Sequence, residues 1–228
     1  MLLKGSQLLP GNDRPEKIEI KGWPFRVQQP EKQVDKDRVL LLLHGHLGNE
    51  NVMWILTKPI SNTYTMLAPR APIKMGPDQY SWHAIEPQWP GMDTYQELTG
   101  QLLERVDIWI EEQEMEVGHY DVMGFSQGTV MAYALSILHP AKIGKVAALA
   151  GFLPEAWHDY LNSEALSGKA FFIAHGTEDD IVPISKARKA AKWLTENGAQ
   201  VTFCEADTGH KLSANCFNGR VSFSANDH

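Results

Sequence analysis

The sequence predicts an α/β chain built on a mostly parallel central sheet with helices on both faces. Three observations predict it. Short apolar runs alternate with longer amphipathic segments along most of the 228 residues. Some of those runs are apolar nearly throughout, as expected for strands covered on both sides. Gly124-Phe125-Ser126-Gln127-Gly128 stands where one such run gives way to a helical segment. Alternation of this kind selects right-handed crossovers between neighbouring parallel strands.

The elements follow in order. Lys17 to Gln28 makes one or two strands, broken near Gly22 and Pro24 and antiparallel at the sheet's edge. Arg38 to Leu43 (RVLLLL) is a buried strand, Asn51 to Leu56 begins a short helix, and Tyr64 to Ala68 is a strand. Asp93 to Glu114 is a long helix with an apolar side at Leu98, Leu102, Val106 and Ile110. Its glutamates from Glu111 to Glu116 make a solvated face. His119 to Gly124 (HYDVMG) is a strand, and Thr129 to Leu138 (TVMAYALSIL) is a helix. Strands at Lys145 to Ala150, Lys169 to Ala174 and Gln200 to Glu205 follow, with a helix from Pro183 to Asn197 and a terminal helix. No repeat, linker or low-complexity tract divides the chain, and a single domain over residues 1–228 has ample core at this length.

Composition narrows the function. Hydrophobic residues make up 43% and charged residues 21%, ordinary for a globular protein. A net charge of −7 and the lack of a Lys/Arg cluster argue against nucleic acid or an anionic membrane surface as partner. No stretch is long enough to span a bilayer, and Met1 to Gly11 lacks a signal-peptide core. A cytoplasmic location is the expectation. Cys204 and Cys216 are read as small buried hydrophobes rather than a bridge.

The pentapeptide at Ser126 fits G-x-S-x-G. Between a strand and a helix, this pattern holds a serine hydroxyl clear of the sheet edge. The glycines allow close backbone approach, and the following helix aims free N–H groups at the same place. The alternative is a serine that merely caps the helix. A nucleophilic serine needs a histidine base and a carboxylate to orient it. Downstream, Lys169 to Ala174 ends in His175-Gly176-Thr177-Glu178-Asp179-Asp180, so three acids stand at a strand's carboxyl end. Asp179 is favoured, with Asp180 and then Glu178 as alternatives. Gly209-His210 follows the last strand, and His210 is the candidate base. His44 and His175 each precede a glycine at a strand end and read as loop braces. His139 follows a helix, where its charge suits the dipole.

One oxyanion N–H comes from the residue after the nucleophile, Gln127. The second comes from the loop His44-Gly45-His46-Leu47-Gly48, with His46 favoured and Leu47 as fallback. His44 and His46 lack the further ligands a metal site requires, so no metal and no cofactor are expected. Pro69 to Met92 is long, holds five prolines and carries Tyr80, Trp82 and Trp89. On a loop at the catalytic edge these aromatics, with Leu47, could wall a substrate pocket. They could equally cap the core as a satellite cluster.

The stretches LLLHGHLGNE, APRAPIKMGPDQYSW, GFSQGTVMAYALSILHP, HGTEDDIVPI and GHKLSAN carry a family resemblance. The chain resembles the phospholipase/carboxylesterase group of α/β-hydrolases, which includes acyl-protein thioesterases and bacterial carboxylesterases. The resemblance implies Ser126 as nucleophile, His210 as base and Asp179, four residues before Pro183, as acid. It implies Gln127 and the loop after Gly45 as oxyanion donors. His46-Leu47-Gly48 departs from the usual family loop, so which loop residue supplies the second N–H stays open. The activity implied is hydrolysis of a small-molecule carboxylic ester without cofactor, with a thioester or a lysophospholipid as the alternatives. A non-catalytic binding protein on the same fold is the remote one. The chain is expected as a monomer or homodimer.

Overall fold

In the computed structural model, residues 15–30, 37–57, 63–84 and 89–217 are described. Strands β1 (Glu16–Ile20) and β2 (Trp23–Gln28) form a hairpin, turning through Lys21 and Gly22 at φ +45° and +74°. Gly22 supplies the break read from the sequence, whereas Pro24 lies inside β2 opposite Glu19. The remaining strands of the main sheet are β3 (Val39–Leu43), β4 (Thr65–Pro69), β7 (Tyr120–Phe125), β8 (Ile143–Leu149), β9 (Ala170–Gly176) and β10 (Gln200–Ala206). The order across it is β1-β2-β4-β3-β7-β8-β9-β10. β1, β2 and β4 pair antiparallel, and every pairing from β4 to β10 is parallel.

The all-apolar strands are buried on both sides, as their composition requires. Every residue of β3 is buried. Val39, Leu41 and Leu43 join one core, and Leu40 and Leu42 join the other. Each such leucine contributes about 2 kcal/mol through burial. Helices α1 (Met92–Glu112), α2 (Gln127–Leu138) and α4 (Ile184–Glu196) cover the first face through Leu102, Val106, Val130, Ala187 and Leu194. The second face is closed by a 3-10 turn at Met53–Leu56 and by the short helix α5 (Ala214–Phe217), through Met53 and Cys216. Between α2 and α4 the chain also makes a 3-10 turn at Glu155–Tyr160 and a one-turn helix α3 (Ser163–Leu166).

Two expectations are corrected. The segment after β4 is not wholly irregular. It folds into an antiparallel pair, β5 (Ile73–Gly76) and β6 (Gln79–Ser81), anchored by a bridge between Tyr80 and Gly48. The strands are too short, and too close to Pro72 and Pro77, to leave a period in the sequence. Cys204 and Cys216 are not two separate thiols. They form a disulfide with Cα atoms 5.7 Å apart, tying β10 to α5. Cys216 is buried in the second core, and Cys204 packs against it only partly buried. Disulfides persist in oxidising compartments, so the bridge and a cytoplasmic location select different redox surroundings.

The bridge closes a loop with a sequence separation of 12. In the chain-entropy account a loop of that size stabilises by about 3 kcal/mol. We expect Cys204→Ser to lose about 2–3 kcal/mol in urea unfolding without reductant. An unchanged midpoint, with two thiols titrating in the wild type, would show that no bridge forms.

Candidate active site

The parallel strands all deliver their carboxyl ends to one edge of the sheet, where the candidate residues gather. β7 ends at Phe125 and α2 begins at Gln127, leaving Ser126 to make the entire turn. It does so at φ +53° and ψ −115°, a conformation rarely adopted by a non-glycine residue. Two glycines make the turn possible. A Cβ on Gly124 would collide with the Gly128 carbonyl, and one on Gly128 would collide with that of Leu43. The Thr129 hydroxyl lies 2.8 Å from the carbonyl oxygens of both Gly124 and Leu149, and accepts from Leu149 N–H at 3.0 Å. Ser126 N–H donates to the Leu149 carbonyl at 2.8 Å. The serine backbone is therefore fixed to β8 as well as to its own strand.

The alternative for Ser126 was a helix cap. Its side chain makes no capping bond to α2. Its Oγ lies 3.0 Å from Nε2 of His210, across 84 residues of sequence. Nδ1 of His210 lies 2.8 Å from Oδ2 of Asp179. A carboxylate only accepts, so Nδ1 carries the proton and Nε2 is free to receive that of Ser126. The Phe125 ring flanks His210, with centroids 5.3 Å apart.

The three competing acids are separated by burial. Glu178 and Asp180 are exposed, whereas Asp179 is buried. Its Oδ1 accepts from Ile181 N–H at 3.0 Å and Val182 N–H at 2.8 Å. Burial pushes its pKa up, but the Val182, His210 and Ile181 donors outweigh that and hold the carboxyl below its usual range. Its folded pKa thus lies below the unfolded one. The stability it contributes is present above the ordinary carboxylate range and is lost as pH falls through the folded value.

The loop after β3 turns tightly, with Gly48 N–H donating to the Gly45 carbonyl at 3.0 Å and Leu47 at φ +61°. Among the described residues, the N–H groups of His46, Leu47 and Gln127 make no hydrogen bond in the fold. His44 braces this loop. Its Nδ1–H donates to the Gly45 carbonyl at 2.7 Å and Nε2 accepts from Ala71 N–H at 3.0 Å. Burial lowers its pKa to about 4, so it is neutral at pH 7. Both its ring nitrogens are spent, which leaves it no lone pair for a metal.

The side chain of Gln127 has a role the sequence did not disclose. It is buried, accepts from Trp82 N–H at 3.0 Å and donates through Nε2 to the Ser81 hydroxyl at 2.9 Å. Ser81 donates on to the His83 carbonyl at 2.6 Å and lies 3.3 Å from Nδ1 of His46. The β5–β6 hairpin is thereby fastened to the start of α2. Nothing in the sequence signals a pairing across 46 residues.

The four expected pocket residues divide. Trp82 is corrected: it is only 1% exposed, and its indole donates to the His44 carbonyl at 2.7 Å, so it braces the loop from within. The Tyr80 ring lies 4.6 Å beneath the Arg70 guanidinium and its hydroxyl accepts from it at 3.2 Å. Arg70 in turn grips buried Glu50 at 2.6 and 2.7 Å. Tyr80 therefore belongs to the frame of the hairpin. Leu47 and Trp89 remain at the surface, 43% and 39% exposed. Trp89 meets His83 and Phe152 edge-on at 4.5 and 4.8 Å. With Phe152, Pro154, Glu155, Lys186 and Lys189 it lines a groove of about 230 Å³.

A largely parallel sheet with a serine on a strand-to-helix elbow defines an α/β-hydrolase. The particular group follows from comparison. The phospholipase/carboxylesterase family model matches residues 24–223, and the chain belongs to that family. It is 26% identical over 194 residues to acyl-protein thioesterase 1 of Emericella nidulans, covering 72% of this chain and 79% of that protein. It is 26% identical over 202 residues to the Escherichia coli esterase YpfH, covering 82% and 81%. The crystal structure of the Bacillus cereus carboxylesterase superposes with a TM-score of 0.75 at 22% identity, over 86% of this chain and 91% of that one.

The choice among the three acids yields a test. Replacing the orienting carboxylate favours the wrong imidazole tautomer and costs about 10⁴ in kcat where the arrangement is catalytic. We expect that loss for Asp179→Asn and near wild-type turnover for Asp180→Asn and Glu178→Gln. A dead Asp180→Asn beside a live Asp179→Asn would reverse the assignment.

Proposed function

We propose that this chain is a single-domain serine hydrolase that cleaves carboxylic esters through an acyl-enzyme on Ser126. The observation that carries the reading is the relay from Ser126 Oγ to His210 at 3.0 Å and on to buried Asp179 at 2.8 Å. A serine at φ +53° would gain nothing from that strain as a helix cap.

In the proposed reaction, His210 Nε2 takes the Ser126 proton as Oγ attacks the ester carbonyl. Asp179 stabilises the imidazolium. The oxyanion is received by Gln127 N–H and by an N–H of the loop, that of His46 or Leu47, all three uncommitted among the described residues. His210 then gives the proton to the departing alcohol. Water, deprotonated by the same nitrogen, cleaves the acyl-enzyme and returns the proton to Ser126. Leu47 and the groove beside Trp89 and Phe152 offer apolar surface for the acyl or alcohol portion. A thioester can follow the same steps, and the relative named as an acyl-protein thioesterase favours that second reading.

Hydrolysis of p-nitrophenyl esters from acetate to palmitate tests the proposal. Ser126→Ala should lower kcat by about 10⁴ to 10⁶. kcat/KM should fall at acid pH, as the base in the free enzyme becomes protonated. Undiminished turnover by the alanine variant would remove the reading. Matched oxygen and sulfur esters would decide between esterase and thioesterase.

A further inference from the structure

Two histidines stand against the Asp179 carboxylate, and the reaction above uses only one. The other is His175, at the end of β9, with a side chain as fully buried as that of Asp179. Its Nε2 lies 2.7 Å from the Val182 carbonyl oxygen and 3.2 Å from Asp179 Oδ2. Two oxygens converging on a bare nitrogen would repel it, so Nε2 carries the proton. Its hydrogen bond goes to Val182, and the positive end of the N–H dipole faces Asp179. Nδ1 is buried and, among the described residues, has no hydrogen-bond partner.

These contacts close a circuit around the acid. His175 holds the Val182 carbonyl, and Val182 N–H holds Asp179 Oδ1 at 2.8 Å. Asp179 Oδ2 is left between the imidazoles of His175 and His210, at 3.2 and 2.8 Å. Among the described residues, Glu205, the register partner of His175 on β10, is a further charged group that interacts with it. Glu205 is already held by Arg188 at 2.6 and 2.7 Å.

Packing alone does not explain a histidine here. The preceding residues of β9, Phe171 to Ala174, are apolar and buried. An apolar side chain would fill the position without burying an unpartnered nitrogen, which costs stability. What an apolar residue lacks is the donor at Nε2.

We propose that His175 is a positioning residue for the reaction: its Nε2–H clamps the Val182 carbonyl and faces Asp179 Oδ2, fixing the carboxylate that orients His210. The inference rests on the serine-hydrolase reading. It assigns His175 no proton transfer and no contact with substrate.

Two substitutions of similar polarity test it. Glutamine places its amide nitrogen near the reach of Nε2, whereas asparagine stops near that of Nδ1. Active sites are counted with a fluorophosphonate so that kcat refers to folded, competent protein. His175→Gln is expected to keep kcat within about threefold of wild type. His175→Asn is expected to lower it by about tenfold to a hundredfold, the scale of a misplaced catalytic group, with KM little changed. In the asparagine variant the acid limb of kcat/KM should also move to higher pH. A carboxylate facing one donor fewer holds the imidazolium of His210 more tightly. A brace with a purely structural role would lower the melting temperature and leave both readouts unmoved.

Equal kcat per site in the two variants, whether both high or both low, would overturn the proposal. If the asparagine chain does not fold, ¹⁵N NMR of wild-type His175 decides. A proton on Nε2 supports the clamp, and a bare Nε2 overturns it. Ser126→Ala run in parallel keeps the two readings apart: an active alanine variant means the serine-hydrolase reading has failed, and the clamp with it.

Discussion

The turn at Ser126 forces the chain through φ +53° and ψ −115°, a conformation that costs a non-glycine residue about 1–3 kcal/mol. Much of the structure near the sheet's carboxyl edge is organised around holding it there. Gly124 and Gly128 let β7, β3 and the start of α2 approach more closely than any Cβ would permit. Thr129 ties the helix to β8, and Ser126 N–H pairs with Leu149. A backbone bound on all sides cannot relax, so the hydroxyl projects from the edge rather than folding back onto the helix. Among the described residues the same turn leaves Gln127 N–H unpaired at the head of α2, beside the position where an oxyanion would form.

The groups around that serine come from distant parts of the chain, and each is held by a scaffold of its own. The β3 loop is braced by His44, Ala71 and Trp82. The hairpin that carries Ser81 is locked by the Arg70–Glu50 pair and by Gln127. The acid loop is closed by Val182 and His175, and the loop carrying His210 is flanked by the Cys204–Cys216 bridge. Such bracing suits a site whose chemistry depends on geometry fixed before substrate arrives. Preorganised donors need not reorient when charge develops.

Family membership and geometry bear on different levels of function. The family model places the chain in the phospholipase/carboxylesterase family, and thioesterase and esterase relatives resemble it. The uncommitted N–H groups and the relay distances support a particular chemistry. In the proposed reading, the substrate meets surface farther out, at Leu47 and in the groove between Trp89, Phe152 and the first turns of α4.

Much of this was legible in the sequence because it rests on local chemistry. Apolar runs such as Val39–Leu43 must be buried on both faces, so the parallel sheet follows from them. Glycines two residues either side of a serine, between strand and helix, mark the elbow without reference to the rest of the chain. Ser126 is a candidate for that reason, His210 because it follows a glycine just past the last strand, and Asp179 because it stands four residues before Pro183, a choice the resemblance shares. Tertiary structure decided what depends on orientation or on contact across long separations. Burial distinguishes Asp179 from Asp180, and Trp82 turns inward while Trp89 stays out. The hairpin of Ile73 to Ser81 was hidden by its prolines. The pairing of Cys204 with Cys216 depends on where α5 packs, and two cysteines alone do not encode that. Periodicity reports which face of an element is apolar; only the folded chain determines which of its polar groups meet.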